Sequence, residues 1–273
     1  VDLSALGGAG VKRGRFLSSY CATLYAFLYL PLVVMFVFSF NDARRNVVWR
    51  GFTFKWYKVL YHDAELMSAM LTSLELAAAA AGIAAVLGVL ASYAMVRHKP
   101  FRGRSAYSAL LNVPLMMPEV ALGVGILSFL IRAGYELDFT ALACAHALIC
   151  LPYTVAAVRA RLISLQESSL EDAAMDLGAT EFQAFTKVTL PLAMPAIISG
   201  ALLSFTVSFE DFVTSFFVAG IGIVTMPIKI YSMMKFGVTP EINALSVCLL
   251  GATLLLLALN AALAVRPDEV ARH

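Results

Sequence analysis

Apolar residues fall along the chain in long unbroken blocks, at roughly 17–40, 68–96, 105–132, 140–159, 195–219 and 243–265, with short polar stretches between them. A helix rises about 1.5 Å per residue, so roughly 20 residues cross a hydrocarbon core of about 30 Å. Each block is long enough. A chain in lipid must satisfy its own backbone hydrogen bonds, and the alternation expected of membrane strands is absent, so the blocks predict helices and not a barrel. The pattern predicts an all-α integral membrane protein with six transmembrane helices: a segment at 1–16, a membrane domain at 17–265 and a tail at 266–273. The first block sits too deep in this series to be a cleaved signal, and no small-residue cleavage site follows it. An even number of crossings places both ends on one side.

Composition excludes a soluble domain: 60% of the 273 residues are hydrophobic and 14% charged, with mean hydropathy +0.82. The net charge of +2 is too small to suggest a nucleic-acid partner. Cys21, Cys144, Cys150 and Cys248 all lie in apolar runs without paired spacing, which predicts small buried hydrophobes with neither disulfide nor metal. The placement of basic residues says more, because Lys and Arg in short loops are retained in the cytoplasm. Twelve of the 20 fall on one side: Lys12, Arg13, Arg15, Arg97, Lys99, Arg102, Arg104, Arg159, Arg161, Lys187, Arg266 and Arg272. Five of the others (Arg44, Arg45, Arg50, Lys55, Lys58) share the long 41–67 loop. Both termini are therefore expected in the cytoplasm.

One stretch breaks the greasy pattern. The segment "SSLEDAAMDLGATEFQAFTKVTLP", residues 168–191, is hydrophilic and lies on the cytoplasmic side between the fourth and fifth spans. Ser168 with Glu171 has the spacing of a capping box, Gly178 suits a left-handed helix end, and Thr180 with Gln183 repeats the start signal. Two short helices are predicted, the second ending at Pro191. Ala173, Ala174, Leu177, Phe182 and Phe185 leave them an apolar surface that something must cover, either the protein's own helix ends or a partner.

Asp172, Ala173, Ala174 and Gly178, followed nine residues later by "VTLP" with Leu190 and Pro191, resemble the signature loop of ABC importer permeases. That pattern is Glu-Ala-Ala, three residues, Gly, nine residues, Ile, any residue, Leu-Pro; Asp172 and Val188 stand where the family has Glu and Ile. "SFND", "WRGFTFKWYKVL", "HKPFRGR", "VPLMMPEVALG", "SFEDFVTSFF" and "GVTPEINAL" extend the likeness over almost the whole chain, to permeases of spermidine and putrescine importers. The resemblance implies a type I ABC importer permease fold in a bacterial inner membrane, with segment 168–191 as a coupling loop. It also implies a second homologous permease, two cytoplasmic ATP-binding subunits and a periplasmic binding protein. No phosphate-cradling Gly-rich loop with Lys and Ser/Thr occurs in the sequence, so no cofactor is expected here: ATP and Mg belong to the partner ATPase, and this chain is not an enzyme.

Acidic residues interrupt the spans at Glu75, Glu119, Glu210 and Asp211, where an ionised side chain costs on the order of 2.5–3.5 kcal/mol. If the spans are straight, Glu119 and Glu210 lie about 14 and 15 residues from their cytoplasmic starts, roughly 21–23 Å of helix, and Glu75 about 7 residues from its outer start. One layer in the outer half of the membrane would hold them all. Such a ring suits a ligand with several ammonium groups, and Phe205, Phe209, Phe212 and Phe216 could add apolar and cation–π contacts. Pairing within the protein is the plainer alternative for each acid. The resemblance favours the ligand role for Glu119, Glu210 and Asp211, whose positions are acidic in polyamine permeases. His146 and Tyr153 lie in span four without any protease motif, which predicts a packed, hydrogen-bonded histidine. Pro114 and Pro118 should kink span three just before Glu119. The competing readings are the same machine with another ligand, an aminoalkylphosphonate or ferric ion, and a stand-alone proton-coupled transporter or membrane enzyme using the acids as proton carriers.

Overall fold

The computed structural model describes residues 4–43, 48–97, 102–235, 237 and 239–265. The tail at 266–273 lies outside them, as do Arg44, Arg45 and Lys99. Among the described residues the backbone is helical, with one isolated bridge between Asn41 and Phe52 and no strand. The helices are α1 (Ser4–Phe38), α2 (Lys55–His62), α3 (Ala64–Arg97), α4 (Arg104–Met116), α5 (Glu119–Arg132), α6 (Phe139–Glu167), α7 (Leu170–Asp176) and α8 (Glu181–Ala184). A π turn (Phe185–Thr189) leads into α9 (Leu190–Glu210), and α10 (Val213–Val218), α11 (Met226–Met234) and α12 (Pro240–Val265) follow. Among the described residues five helical stretches are long and apolar enough to cross a membrane, and α4 with α5 brings the number to six when the bent pair counts as one span.

The chain divides into two compact units, one of residues 1–62 with 233–250 and the other of 63–232 with 251–273. In the first, the chain leaving α1 wraps around Asn41, whose side chain donates to the Val48 carbonyl and accepts the Arg50 amide, both at 2.9 Å. Trp56 Nε1 donates to the Asn41 carbonyl at 2.8 Å, and Phe40 stacks on Phe52 beside Phe54 and Tyr57. The apolar side chains of α1 from Leu17 to Phe38 are largely exposed.

In the second unit α3, α6 and α9 pack on one another. The sequence permits this because α3 buries a small-residue face, Ala77, Ala80, Ala84, Gly88 and Ala91, at helical spacing. Small residues let helix backbones approach closely in lipid, where apolar side chains gain nothing by leaving one apolar surface for another. Thr154 of α6 marks the meeting point: a Cβ on Gly88 would lie 2.6 Å from its Cγ2, and one on Gly200 of α9 would lie 3.2 Å from its Cα. Thr154, Ser204 and Cys150 hydrogen-bond along the same seam, so its buried polar groups are satisfied. Cys150 is buried as expected, but Cys21, Cys144 and Cys248 are exposed.

Three sequence expectations are corrected. Span three is not kinked but broken, with α4 and α5 meeting at 114°. Met117 is extended because the ring of Pro118 disfavours helix at the residue before it, and Pro118 has no N–H to continue the ladder. The straight-helix depth reckoned for Glu119 therefore does not apply. Span five ends at Glu210 and not at 219: Asp211 is extended and its carboxylate instead accepts the Ser215 amide (3.1 Å) and the Thr214 hydroxyl (3.2 Å), starting α10. Pro191 does not end the loop's second helix either. The chain is helical from Glu181 to Glu210, because the wide π turn, closed by the Leu190 amide on the Phe185 carbonyl, leaves room for a proline that cannot donate.

Candidate functional site

The loop between α6 and α9 is built by local signals, though not all the expected ones. Ser168 ends α6, its hydroxyl donating to the Leu165 carbonyl at 2.6 Å, and the left-handed Ser169 starts α7 without a side-chain cap. The expected Ser168–Glu171 capping box is absent because Glu171 points elsewhere. Gly178 has φ of +93° and closes α7, its amide on Met175 and that of Ala179 on Ala174. The Thr180–Gln183 capping box is formed in both directions.

Leu177 is 91% and Phe182 74% exposed, whereas Phe185 turns inward and sets its ring 4.5 Å from that of Tyr93. Part of the loop's apolar surface is thus covered by the protein itself and part is open. Ala173, Gly178 and Pro191 are exposed, and Ala174 and Leu190 half-buried. Asp172, 54% exposed, accepts from Arg97 Nη2 at 2.7 Å. Glu171, on the covered side, accepts the Tyr93 hydroxyl at 2.7 Å and the Thr189 hydroxyl at 2.6 Å.

A second site lies at the two helix breaks. Glu119 begins α5, Glu210 ends α9 and Asp211 follows it, and all three line a cleft of about 340 Å³ with Pro114, Tyr153 of α6 and Phe212. The breaks bring them together. No Lys or Arg is among the described lining residues, so the cleft carries three carboxylates against no fixed cation. Glu210 accepts the Thr253 hydroxyl of α12 at 2.8 Å, a neutral partner that leaves its charge uncompensated. Asp211 is held more firmly. Beyond its bonds to α10, its Oδ2 lies 3.5 Å from Nε2 of the buried His146. His146 Nε2 lies 3.1 Å from the Ser215 hydroxyl and its Nδ1 2.9 Å from that of Ser208, the hydrogen-bonded histidine expected of span four.

The structure does not bring Glu75 or Phe209 to this cleft. Glu75 is exposed on α3, and Phe209 is buried with its ring stacked on Phe205. Sequence reasoning missed Tyr93, Arg97 and Thr189 as partners of the loop, and read Glu171 as a cap. The only signal was the i, i+4 spacing of Tyr93 and Arg97, which puts them on one face at the end of α3.

Comparison with known proteins follows the same outline. The family described as "Binding-protein-dependent transport system inner membrane component" matches residues 84–266. The spermidine/putrescine transport system permease protein PotC of Escherichia coli (strain K12) is 41% identical over 244 residues, 89% of this chain and 90% of that one. The putrescine transport system permease protein PotI of the same organism is 40% identical over 234 residues, 84% of this chain and 83% of that one. Among solved structures, a chain of a bacterial alginate ABC transporter, in complex with its alginate pentasaccharide-bound periplasmic protein, superposes with TM-score 0.67. It covers 94% of this chain and 96% of that one at 14% identity, a likeness of fold alone.

Proposed function

The chain belongs to the family of binding-protein-dependent transport system inner membrane components, and from that premise we propose that it is one of two permease subunits of an ATP-driven polyamine importer. It forms half of the pathway for putrescine or spermidine. The ligand arrives from a periplasmic binding protein, and one of two ATP-binding subunits docks on segment 168–191, where Leu177 and Phe182 offer open apolar surface. Glu119, Glu210 and Asp211 stabilise the passing ammonium groups. The observation that carries the ligand class is their cleft, with three carboxylates and no Lys or Arg among its described lining residues. A polyamine supplies the missing positive charge, and each charge then offsets part of the desolvation of the other. An anionic ligand such as an aminoalkylphosphonate would meet repulsion there. A stand-alone proton carrier would leave the exposed loop without a purpose.

The test is genetic. A bacterial strain that neither makes nor imports polyamines, given this chain with its neighbouring permease, ATPase and binding protein, should regain growth on micromolar putrescine or spermidine. Growth should need all four components, and no rescue by either amine would refute the proposed ligand.

The distribution of basic residues supports cytoplasmic termini, as does the count of six crossings that follows when α4 and α5 are taken as one span. Reporter fusions at residue 180 should accordingly read cytoplasm and those near 55 the outside. The reverse labelling would overturn the orientation and the docking role of the loop with it.

A further inference from the structure

We infer that Glu171 is a positioning residue for transport, a half-buried joint that fastens the coupling loop to span two and span five together. The inference rests on the proposed docking role of segment 168–191, but goes beyond it, since the docking surface itself is Leu177, Phe182 and their exposed neighbours. Glu171 faces the other way. Its side chain is 16% exposed, and its two oxygens serve different elements: Oε1 takes the Tyr93 hydroxyl of α3, and Oε2 takes the Thr189 hydroxyl at the end of the π turn. Arg97 Nε lies 3.4 Å from Oε1, and the same guanidinium reaches on to Asp172 at 2.7 Å.

The arrangement closes a ring. Phe185 at the start of the π turn packs on Tyr93, while Thr189 at its end bonds Glu171. Both ends of the segment that leads into α9 are thereby tied to one node on α3 and α7. A carboxylate suits that node because it accepts from both hydroxyls at once while its charge faces the Arg97 guanidinium, and charge-assisted bonds are about twice as strong as neutral ones. An amide must turn its NH₂ toward one of these donors. No other described side chain links α7 to both α3 and the π turn by hydrogen bonds.

The consequence is mechanical. A displacement applied to α7 from the cytoplasm moves the ends of α3 and α9 with it, and these two helices with α6 form the packed core of the unit. With the joint open, α7 can follow the ATPase while the spans stay behind. ATP is then consumed without transport.

The experiment uses the complete importer in lipid vesicles with Glu171→Ala, Glu171→Gln and Tyr93→Phe, and nitroxide labels at Asp176 and Leu90, both exposed. In the parent the label distance should stay constant between the resting and ATP-bound states. In Glu171→Ala it should shift or broaden on ATP binding, and ATP hydrolysed per polyamine imported should rise at least fivefold in assembled complex. Glu171→Gln and Tyr93→Phe should show smaller rises of the same kind. If Glu171→Ala leaves both the ratio and the distance as in the parent, the joint is refuted. If Glu171→Ala and Glu171→Gln only lower the yield of complex while the remainder couples normally, the residue is merely structural and the inference fails equally. Gly178→Asp in the same vesicles separates the two layers: uncoupling by it but not by Glu171→Ala rejects the joint alone, and uncoupling by neither rejects the loop's docking role.

Discussion

Polyamine uptake should fall on the order of 100-fold when Glu119 and Glu210 are both replaced by glutamine, with the amount of assembled complex unchanged. Each substitution keeps size and hydrogen-bonding capacity and removes one negative charge from a cleft without a described Lys or Arg. Losing one charge pair in a partly desolvated site costs about 1.4 kcal/mol, or tenfold, so two separate charges give about a hundredfold. The structure explains why this pair is the cleaner test. Glu119 stands at the start of α5, and Glu210 accepts a hydroxyl as its one hydrogen bond among the described residues, which an amide also satisfies. Asp211 caps α10 and faces His146, so Asp211→Asn should lower the yield of folded protein as well as uptake. Uptake by purified complex, with binding of ligand by the isolated binding protein as the control, reads the effect. Normal uptake by the double variant at normal assembly would remove the cleft from the pathway.

Gly178→Asp should abolish coupling. At φ of +93° a side chain is strained, at a cost of about 1 kcal/mol. Nothing lies within 4 Å of the added Cβ, so the protein itself would accommodate the atoms. The carboxylate would project beside Leu177, onto the surface proposed for the ATPase. The chain should therefore still insert and fold, while ATPase subunits copurify poorly and binding protein no longer stimulates hydrolysis. Copurification and stimulated hydrolysis at parental levels would contradict the docking role of this surface.

The helical crossings were legible because lipid leaves a backbone few choices, and long apolar blocks state their length plainly. The Thr180 capping box and the left-handed Gly178 were legible for a similar reason, since both are local, set by a residue and its near neighbours. What the sequence concealed was set at a distance. Pro118 announces an interruption, but whether a proline kinks or breaks a helix depends on what the freed ends can pack against, and here the bend is 114°. Glu171 was misassigned because its spacing from Ser168 satisfies a local rule, whereas Tyr93, 78 positions away, and Thr189 offer two hydroxyls where a cap offers one amide. The cleft was half visible. Acids in apolar blocks announced themselves, yet Glu75 looked like Glu119 on hydropathy, and only the two helix breaks bring Glu119 to Glu210 and Asp211 while Glu75 remains exposed on α3.

The most direct measurement is ATP-driven accumulation of radiolabelled ligand in sealed vesicles that hold the assembled importer, with binding protein outside and ATP on the ATPase side. Putrescine, spermidine, an aminoalkylphosphonate and ferric ion are offered separately. Accumulation of putrescine or spermidine that requires both ATP and binding protein, with the other two left outside, is the predicted result. Accumulation of the phosphonate or of iron, with both polyamines excluded, would contradict it.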